Sequence, residues 1–321
     1  MKTFVALATG MLLMASSCSE KHVVDFSEGQ SVLVLNGQVA FDEAMGQKAW
    51  ASAVGSKAGA EQQLPAMELG VYVLATGGQD GMTTDFSTTD WKNVAFTSDG
   101  AGNINIDDGD VTLRTGNTYD IYAYAPRMSD DDLEAGRTEA GNVGNVRAIP
   151  VNHGDDVLWA KTSGVLAKAK QTSATLKFYH SGAQIGFTIK MKEDGTVVSP
   201  STGVQLTVSG FYAKGMLDMQ TGKMTLKDGD KTVSLEDCSG AKTNILIPAG
   251  EQMDLDVTVT DVPGQEGKTF TGKLPLVANN GESYLYDVNI DTDSDAHSPI
   301  TFTPTIEEWA EVEAGEPLPI G

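Results

Sequence analysis

Short apolar runs bounded by Gly, Asp and Asn recur roughly every ten to fifteen residues along most of the chain. In residues 254–259, Leu255, Val257 and Val259 alternate with polar residues, which is the period of a strand with one buried face. Such regular spacing favours β-sandwiches. Beyond a first strand near residue 32, the main predicted strands are 69–75, 104–106, 111–113, 119–125, 157–160, 204–212, 223–226, 232–235, 244–247, 254–259, 270–274, 284–290 and 300–302.

The first predicted strand begins with a continuous apolar run at residues 32–35, as expected of a strand that is covered on both faces. After Asn36-Gly37, a dipeptide that turns readily, an apolar alternation extends the run. The apolar residues of this segment are Val32, Leu33, Val34, Leu35, Val39 and Phe41.

Helical and connecting segments are few. Ser129 followed by three Asp predicts one short helix or a charged loop over residues 129–140, interrupted by Gly136 and Gly141. Residues 49–61 are mostly small and predict an exposed loop, and the turn-rich residues 193–203 predict a linker. We therefore expect an all-β protein with two sandwich domains, at residues 18–197 and 198–321.

The first eighteen residues have the pattern of an export signal. Lys2 precedes an apolar or small run at residues 4–15, and Ala15, Ser16 and Ser17 lead directly into Cys18. This resembles a lipobox, in which a signal peptidase removes residues 1–17 and the Cys18 thiol carries diacylglycerol. The usual Leu three positions before the Cys is Ala15 here, and the alternative is an ordinary signal with a chance Cys. With Cys18 lipidated, Cys238 has no disulfide partner within the chain.

Composition excludes some functions. The chain has 22 Lys and Arg against 44 Asp and Glu, a net charge of −22, which argues against binding nucleic acid. None of the common catalytic, phosphate-binding or zinc-binding motifs is present. We therefore expect no enzyme activity and no cofactor.

Three groups of polar or aromatic residues are candidates for a functional site. Residues 153–156 read as a turn before a strand. The alternate Asp residues at 291, 293 and 295 have a spacing that can collect Ca²⁺ ligands, but the rest of an EF-hand loop is missing. The four Trp residues, which are Trp50, Trp91, Trp159 and Trp309, could stack on sugars, although scattered aromatic residues in a β protein more often fill the core.

Several passages in order carry a family resemblance. Residues 149–160 (IPVNHGDDVLWA) are followed by residues 174–187 (ATLKFYHSGAQIGF), which fit an L-x-F-x-H-x-x-A-x-I-x-F strand pair. Residues 300–302 and 306–309 then give terminal strands and a Trp near the end. Together with the lipobox, this order resembles the fimbrillin family, the type V pilus subunits of Bacteroidales, over residues 18 to about 310.

The resemblance implies two transthyretin-like β-sandwich domains, export as an outer-membrane lipoprotein, and assembly into a surface fimbria. In that family a protease removes the lipidated N-terminus with the first strand, and a strand from another subunit fills the groove. The donor would be the C-terminal segment of a neighbour, and the adhesive target a host protein or glycan. Whether the chain is a shaft, tip or anchor subunit stays open.

The site of trimming departs from the family, whose members are usually cut after Arg. The first Arg here is Arg114, so a trypsin-like protease would have Lys21, Lys48 or Lys57. Only cleavage at Lys48, directly before the small-residue loop, or at Lys57, within it, removes the first strand. The alternatives are a subunit that is never trimmed and stays anchored, or a monomeric outer-membrane lipoprotein that binds glycan.

We predict that Cys18→Ala accumulates as unprocessed precursor, because the peptidase that cleaves at a lipobox needs the lipidated thiol. Metabolic labelling with a fatty acid, followed by fractionation, measures this. Normal amounts of labelled Cys18→Ala protein in the outer membrane would exclude the lipobox.

Overall fold

The computed structural model describes residues 29–39, 62–193, 196–198, 204–226, 233–235, 243–248, 252–291 and 300–308. Within these ranges the regular elements are strands, apart from one helix. The all-β prediction is therefore confirmed.

The first half contains ten strands and the helix. These are β1 Gln30–Val39, β2 Gln62–Gln63, β3 Glu68–Gly77, β4 Trp91–Ser98, β5 Asn103–Ile106, β6 Thr112–Arg114, β7 Thr118–Ala125, α1 Asp130–Glu139, β8 Ala148–Asn152, β9 Leu158–Leu166 and β10 Lys170–His180.

The second half contains eleven strands. These are β11 Ala183–Glu193, β12 Thr196–Val198, β13 Gln205–Phe211, β14 Lys214–Asp218, β15 Lys223–Leu226, β16 Val233–Leu235, β17 Thr243–Leu246, β18 Gln252–Thr260, β19 Phe270–Val277, β20 Glu282–Asp291 and β21 Thr301–Glu308.

Nine strands of the first half form one sheet that closes on itself, called here the closed sheet. Its order is β10-β9-β7-β3-β4-β5-β1-β2, with β6 also paired to β1, and β10 pairs with β1 as well as with β9. Alternate residues of β3 and β7, among them Val71, Val73 and Ile121, point into the enclosed core and are fully buried. Closure gives most strands a partner on both sides, which removes the exposed edges of an open sheet.

The outer face of the closed sheet is buried at its centre as well. Tyr72, Tyr122 and Tyr124 alternate with the inward residues and belong to a second core. Phe86 packs on two of these rings, with centroids 5.5 Å from Tyr72 and 4.9 Å from Tyr122. Because both faces are covered, β3 is an almost unbroken apolar run in the sequence.

The second half is a sandwich of two sheets. A five-stranded sheet has the order β12-β11-β20-β21, with β17 also paired to β11, and a four-stranded sheet has the order β16-β13-β18-β19. Leu255 and Val257 of β18 and Phe187 of β11 are among the buried side chains between them. The alternation predicted for residues 254–259 is confirmed by the burial pattern of β18.

A three-stranded sheet joins the two halves. β8 from the first half pairs antiparallel with β14 of the second half, and β14 pairs with β15. Nearby, the indole N–H of Trp159 donates to the carbonyl of Met219 at 2.9 Å. Gly222 lies directly under this ring, where a Cβ atom would be 2.7 Å from it. The halves are therefore interlocked by pairing and by packing.

Helix α1 lies against β8. Ser129 caps it, because the Asp132 backbone N–H donates to the Ser129 hydroxyl at 3.1 Å. Gly136 does not interrupt the helix: a Cβ there would lie 2.4 Å from Cγ of Pro150. The glycine therefore permits close contact between helix and strand.

One prediction about connections needs correction. The predicted linker at residues 193–203 begins as a hairpin, since Met191 pairs with Val198 across β11 and β12. The change from the closed sheet to the second half falls earlier, between His180 and Ala183. Turn residues at 194–203 are typical both of a hairpin and of a linker, so they do not distinguish the two. Residue 197 as a domain boundary stays a prediction.

We predict that Gly136→Ala destabilises the protein by about 1 kcal/mol, although Ala normally stabilises a helix by a similar amount relative to Gly. The added methyl group meets the Pro150 ring, and overpacking costs about 1 to 3 kcal/mol. Thr138→Ala, at an exposed position of α1, is the control and should not destabilise. Urea unfolding measures both, and a stabilised Gly136→Ala would contradict the seating of α1 on β8.

Candidate functional site

Strand β1 forms part of the wall of the closed sheet. On one side it pairs in parallel with β10 over nine residues, from Ser31 opposite Lys170 to Val39 opposite Phe178. On its other side it pairs antiparallel with three short strands, β6, β5 and β2. β1 is therefore an internal strand, and it links β10 to β5 to complete the ring.

The side chains of β1 alternate strictly between core and surface. Leu33, Leu35 and Val39 point into the closed core, and Leu35 is only 1% exposed. Val32 and Val34 point outward and are half-buried. The expectation that both faces are covered is therefore wrong for β1. Val and Leu suit either face of a strand, so an apolar run alone does not show which face is the core.

The dipeptide Asn36-Gly37 is not a turn, which corrects the sequence reading. β1 runs straight through it, and the Gly37 N–H donates to the Gly102 carbonyl at 2.9 Å. A Cβ on Gly37 would lie 2.7 Å from Cδ1 of Ile104 and 3.1 Å from Cδ2 of Leu64. Neighbouring core side chains, rather than a chain reversal, explain this glycine.

A buried hydroxyl pair fixes the start of β1. The side chains of Ser31 and Thr172 lie 2.6 Å apart across the β1–β10 pairing, and both residues are buried. The Thr172 hydroxyl also accepts from the Lys168 backbone N–H at 2.9 Å. No sequence pattern indicates Ser31, because a single hydroxyl beside an apolar run carries no signal of its own.

The predicted site residues are only partly within the described ranges. Five of the six residues of the predicted first strand belong to β1, and the sixth, Phe41, lies outside the described residues. Cys18, Lys48 and Lys57 also lie outside them. Residues 40–61, which contain both lysines, are the covalent connection between β1 and β2.

The polar set at residues 153–156 is a turn, as predicted. Gly154 has a φ of +93°, and the Asn152 N–H donates to a carboxylate oxygen of Asp155 at 2.8 Å. Burial lowers the pKa of His153 to about 4. Nδ1 of His180 lies 2.7 Å from a carboxylate oxygen of Asp156. This arrangement holds the entry to β9 in place.

Among the residues that the structure describes, no group of His, Cys, Asp or Glu has the geometry to hold a metal ion. Asp293 and Asp295 lie outside these ranges, as do Trp50 and Trp309. Trp91 and Trp159 are half-buried against the two cores. Neither therefore stands free as a stacking platform.

A cleft of about 390 Å³ lies over the outer face of β3 and β7 and contains aromatic side chains. Its rings, Phe86 and Tyr122, are only 4% and 3% exposed, because they pack against each other. Burial, together with Asp120, raises the pKa of Tyr122 to about 12. The cleft therefore offers little exposed aromatic ring surface.

In the part of the chain that the structure describes, no helix is both long enough and apolar enough to cross a bilayer.

The fold and the position of β1 define an all-β protein made of a closed sheet and a sandwich, with an early strand inserted in parallel into the wall. The family model for fimbrillin-like proteins matches residues 60–309. The chain belongs to the fimbrillin-like family, which confirms the resemblance seen in the sequence. This is a family of structural subunits of fimbriae. No curated protein matches the sequence at a significant level.

Solved structures share this fold. A protein from Bacteroides ovatus assigned to cell adhesion has 16% identity and a TM-score of 0.60, over 88% of this chain and 99% of that one. Another from Bacteroides uniformis, also assigned to cell adhesion, has 20% identity and a TM-score of 0.56, over 88% and 100%. The tip fimbrial protein Mfa3 from Porphyromonas gingivalis has 9% identity and a TM-score of 0.49, over 87% and 100%. At these identities the first two support the fold alone.

We predict that Leu35→Ala lowers the free energy of unfolding by about 2 to 5 kcal/mol, because it leaves a cavity in the closed core. Val34→Ala, on the outward face of the same strand, is the matched control and should cost about 1 kcal/mol, since fewer atoms leave a less buried site. Denaturant unfolding of both variants tests the orientation of β1. Equal costs would contradict it.

Proposed function

We propose that this chain is a subunit of a surface fimbria that is exported as a lipoprotein anchored through Cys18 and joined to other subunits by exchange of β1. The observation that carries the proposal is the place of β1, a strand that completes the closed sheet and is connected to β2 only through residues 40–61. Those residues contain Lys48 and Lys57. Cleavage at either lysine leaves β1 bound by non-covalent contacts alone.

Loss of β1 would open the closed sheet at two edges. β10 would lose nine residues of parallel pairing, and β5, β6 and β2 would lose their antiparallel partner. The slot left between them would expose the core that Leu33 and Leu35 fill, and each such side chain contributes about 1.5 to 3 kcal/mol when fully buried. An unpaired edge beside an apolar slot accepts a strand from another chain.

A strand supplied by another subunit gives a head-to-tail contact. Such a contact uses different surfaces on its two sides, so it extends into a filament instead of closing into a dimer. In this proposal the lipid at Cys18 holds the subunit in the outer membrane before trimming, and the trimmed subunit belongs to the fimbria. Its role is structural or adhesive, with a host protein or glycan as the adhesive target.

The alternative, a monomeric outer-membrane lipoprotein that binds glycan, has less support. The rings of the cleft over β3 and β7 are buried against each other, so they offer little stacking surface to a sugar.

We predict that the protein recovered from sheared fimbriae begins after Lys48 or Lys57, and that the double variant Lys48→Ala, Lys57→Ala is not incorporated into fimbriae. The physical reason is that β1 leaves the closed sheet only when its covalent connection to β2 is cut. N-terminal sequencing and negative-stain images of the sheared material measure the two outcomes.

The matched control is Lys48→Arg, Lys57→Arg, which keeps both charges and restores sites for a trypsin-like protease. It should enter fimbriae as the original chain does. Fimbriae that incorporate the uncut alanine variant equally well would contradict cleavage at these lysines as the trigger.

A further inference from the structure

The five residues of β1 that point into the closed sheet differ strongly in size and polarity. They are Ser31, Leu33, Leu35, Gly37 and Val39, and all of them are buried. Three are ordinary core residues, for which Leu, Ile, Val or Met could substitute at modest cost. Ser31 and Gly37 are different, because each meets a feature of the surrounding strands that tolerates few replacements.

The position of Gly37 has no room for a side chain. Cδ1 and Cγ1 of Ile104 would lie 2.7 and 3.3 Å from a Cβ there, and Cδ2 of Leu64 would lie 3.1 Å away. Ile104 and Leu64 are themselves buried, so neither can swing into solvent. Ile104 is on β5 and remains in place when β1 leaves. A β-branched residue at this position would therefore have to displace two core side chains at once.

The position of Ser31 requires a hydroxyl. Its partner, Thr172, lies on β10, is buried, and faces Ser31 across a 2.6 Å hydrogen bond. One lone pair of Thr172 already accepts from the Lys168 N–H. A strand with an apolar residue here would leave a buried hydroxyl without its side-chain partner, which is a costly arrangement.

We infer that the slot filled by β1 selects its replacement strand at two positions: a hydroxyl residue within hydrogen-bond distance of the Thr172 hydroxyl and a glycine against the Ile104 side chain. Apolar residues occupy the two inward positions between them and the one after the glycine. This inference rests on the proposed function and adds the chemistry of the partner, which is a β-strand of another subunit with that pattern.

Residues 301–321 of this chain do not carry the pattern in either direction. Gly315 has Glu313 and Pro317 two places away on its two sides, and Gly321 has Pro319 two places before it. Acidic residues and prolines at inward positions would place charge in the core or remove hydrogen-bond donors. A second copy of this chain therefore does not supply the complementary strand through residues 301–321.

The experiment uses the full chain with residues 49–55 replaced by the recognition site of a sequence-specific protease. After cleavage β1 is held without a covalent link to β2, and fluorescent peptides carrying residues 29–40 compete for its place. The peptides have the original sequence, Gly37→Val, Ser31→Ala or Gln38→Val, and a fifth peptide carries residues 301–313. Because the substitutions are in the peptides, the receiving protein is identical in every measurement.

We expect the original peptide to exchange into the protein, with an apparent affinity that falls at least about tenfold for Gly37→Val and about tenfold for Ser31→Ala. Gln38→Val is the matched control, because it places the same Val side chain one residue away, on the outward face of β1. Its apparent affinity should stay within about threefold of that of the original peptide. The peptide of residues 301–313 should not exchange. Fluorescence anisotropy and native mass spectrometry measure these results.

The outcomes separate this inference from the proposed function. If no peptide exchanges, including the original one, β1 is not a replaceable strand and the proposed function fails. If the original peptide exchanges and Gly37→Val does so equally well, strand exchange stands but the selection at Gly37 is wrong. Val has a higher β propensity than Gly, so the Gly37→Val peptide should bind more tightly than the original peptide if the slot has room for the side chain. Weaker binding of the Gly37→Val peptide therefore indicates that the slot lacks this room.

Discussion

The parallel pairing of β1 with β10 is the contact on which the first half of the molecule depends. It completes a ring of strands around a core that would otherwise lie open between β10 and β5. A parallel pair needs a long crossover connection, so the two strands come from sequence positions about 140 residues apart. The first core is therefore enclosed only when a distant early segment inserts into the wall.

The second half also contains a long parallel pair of strands. β11 pairs in parallel with β20 over nine residues, as β1 does with β10. β11 is tied at one end to β10 and at the other to β12, so it is held from both sides along the chain. β1 is linked forward only through residues 40–61. The two halves thus contain comparable parallel pairs, and the proposed exchange concerns only the pair that includes β1.

The rest of the molecule would keep most of its packing if β1 were removed. The second core contains the outward residues of β3 and β7, together with the buried residues of the sandwich, and no residue of β1 belongs to it. The pairing of β8 with β14 and the contact of Trp159 with Met219 also lie away from β1. Removal of one strand would therefore open one core while the other core and the junction remain packed.

The sequence by itself determined most strands, a short helix or charged loop beginning at Ser129, the net negative charge and the family, because alternation, turn residues and caps are local signals. It did not find β4, whose apolar residues are spread among polar ones, and it read Asn36-Gly37 as a turn and residues 193–203 as a linker. Only the tertiary structure decided the closure of the sheet, the core face of β1, and the roles of Ser31 and Gly37. Those depend on Thr172, Ile104 and Leu64, which the fold brings beside β1 from distant parts of the chain, and local patterns carry no record of such neighbours.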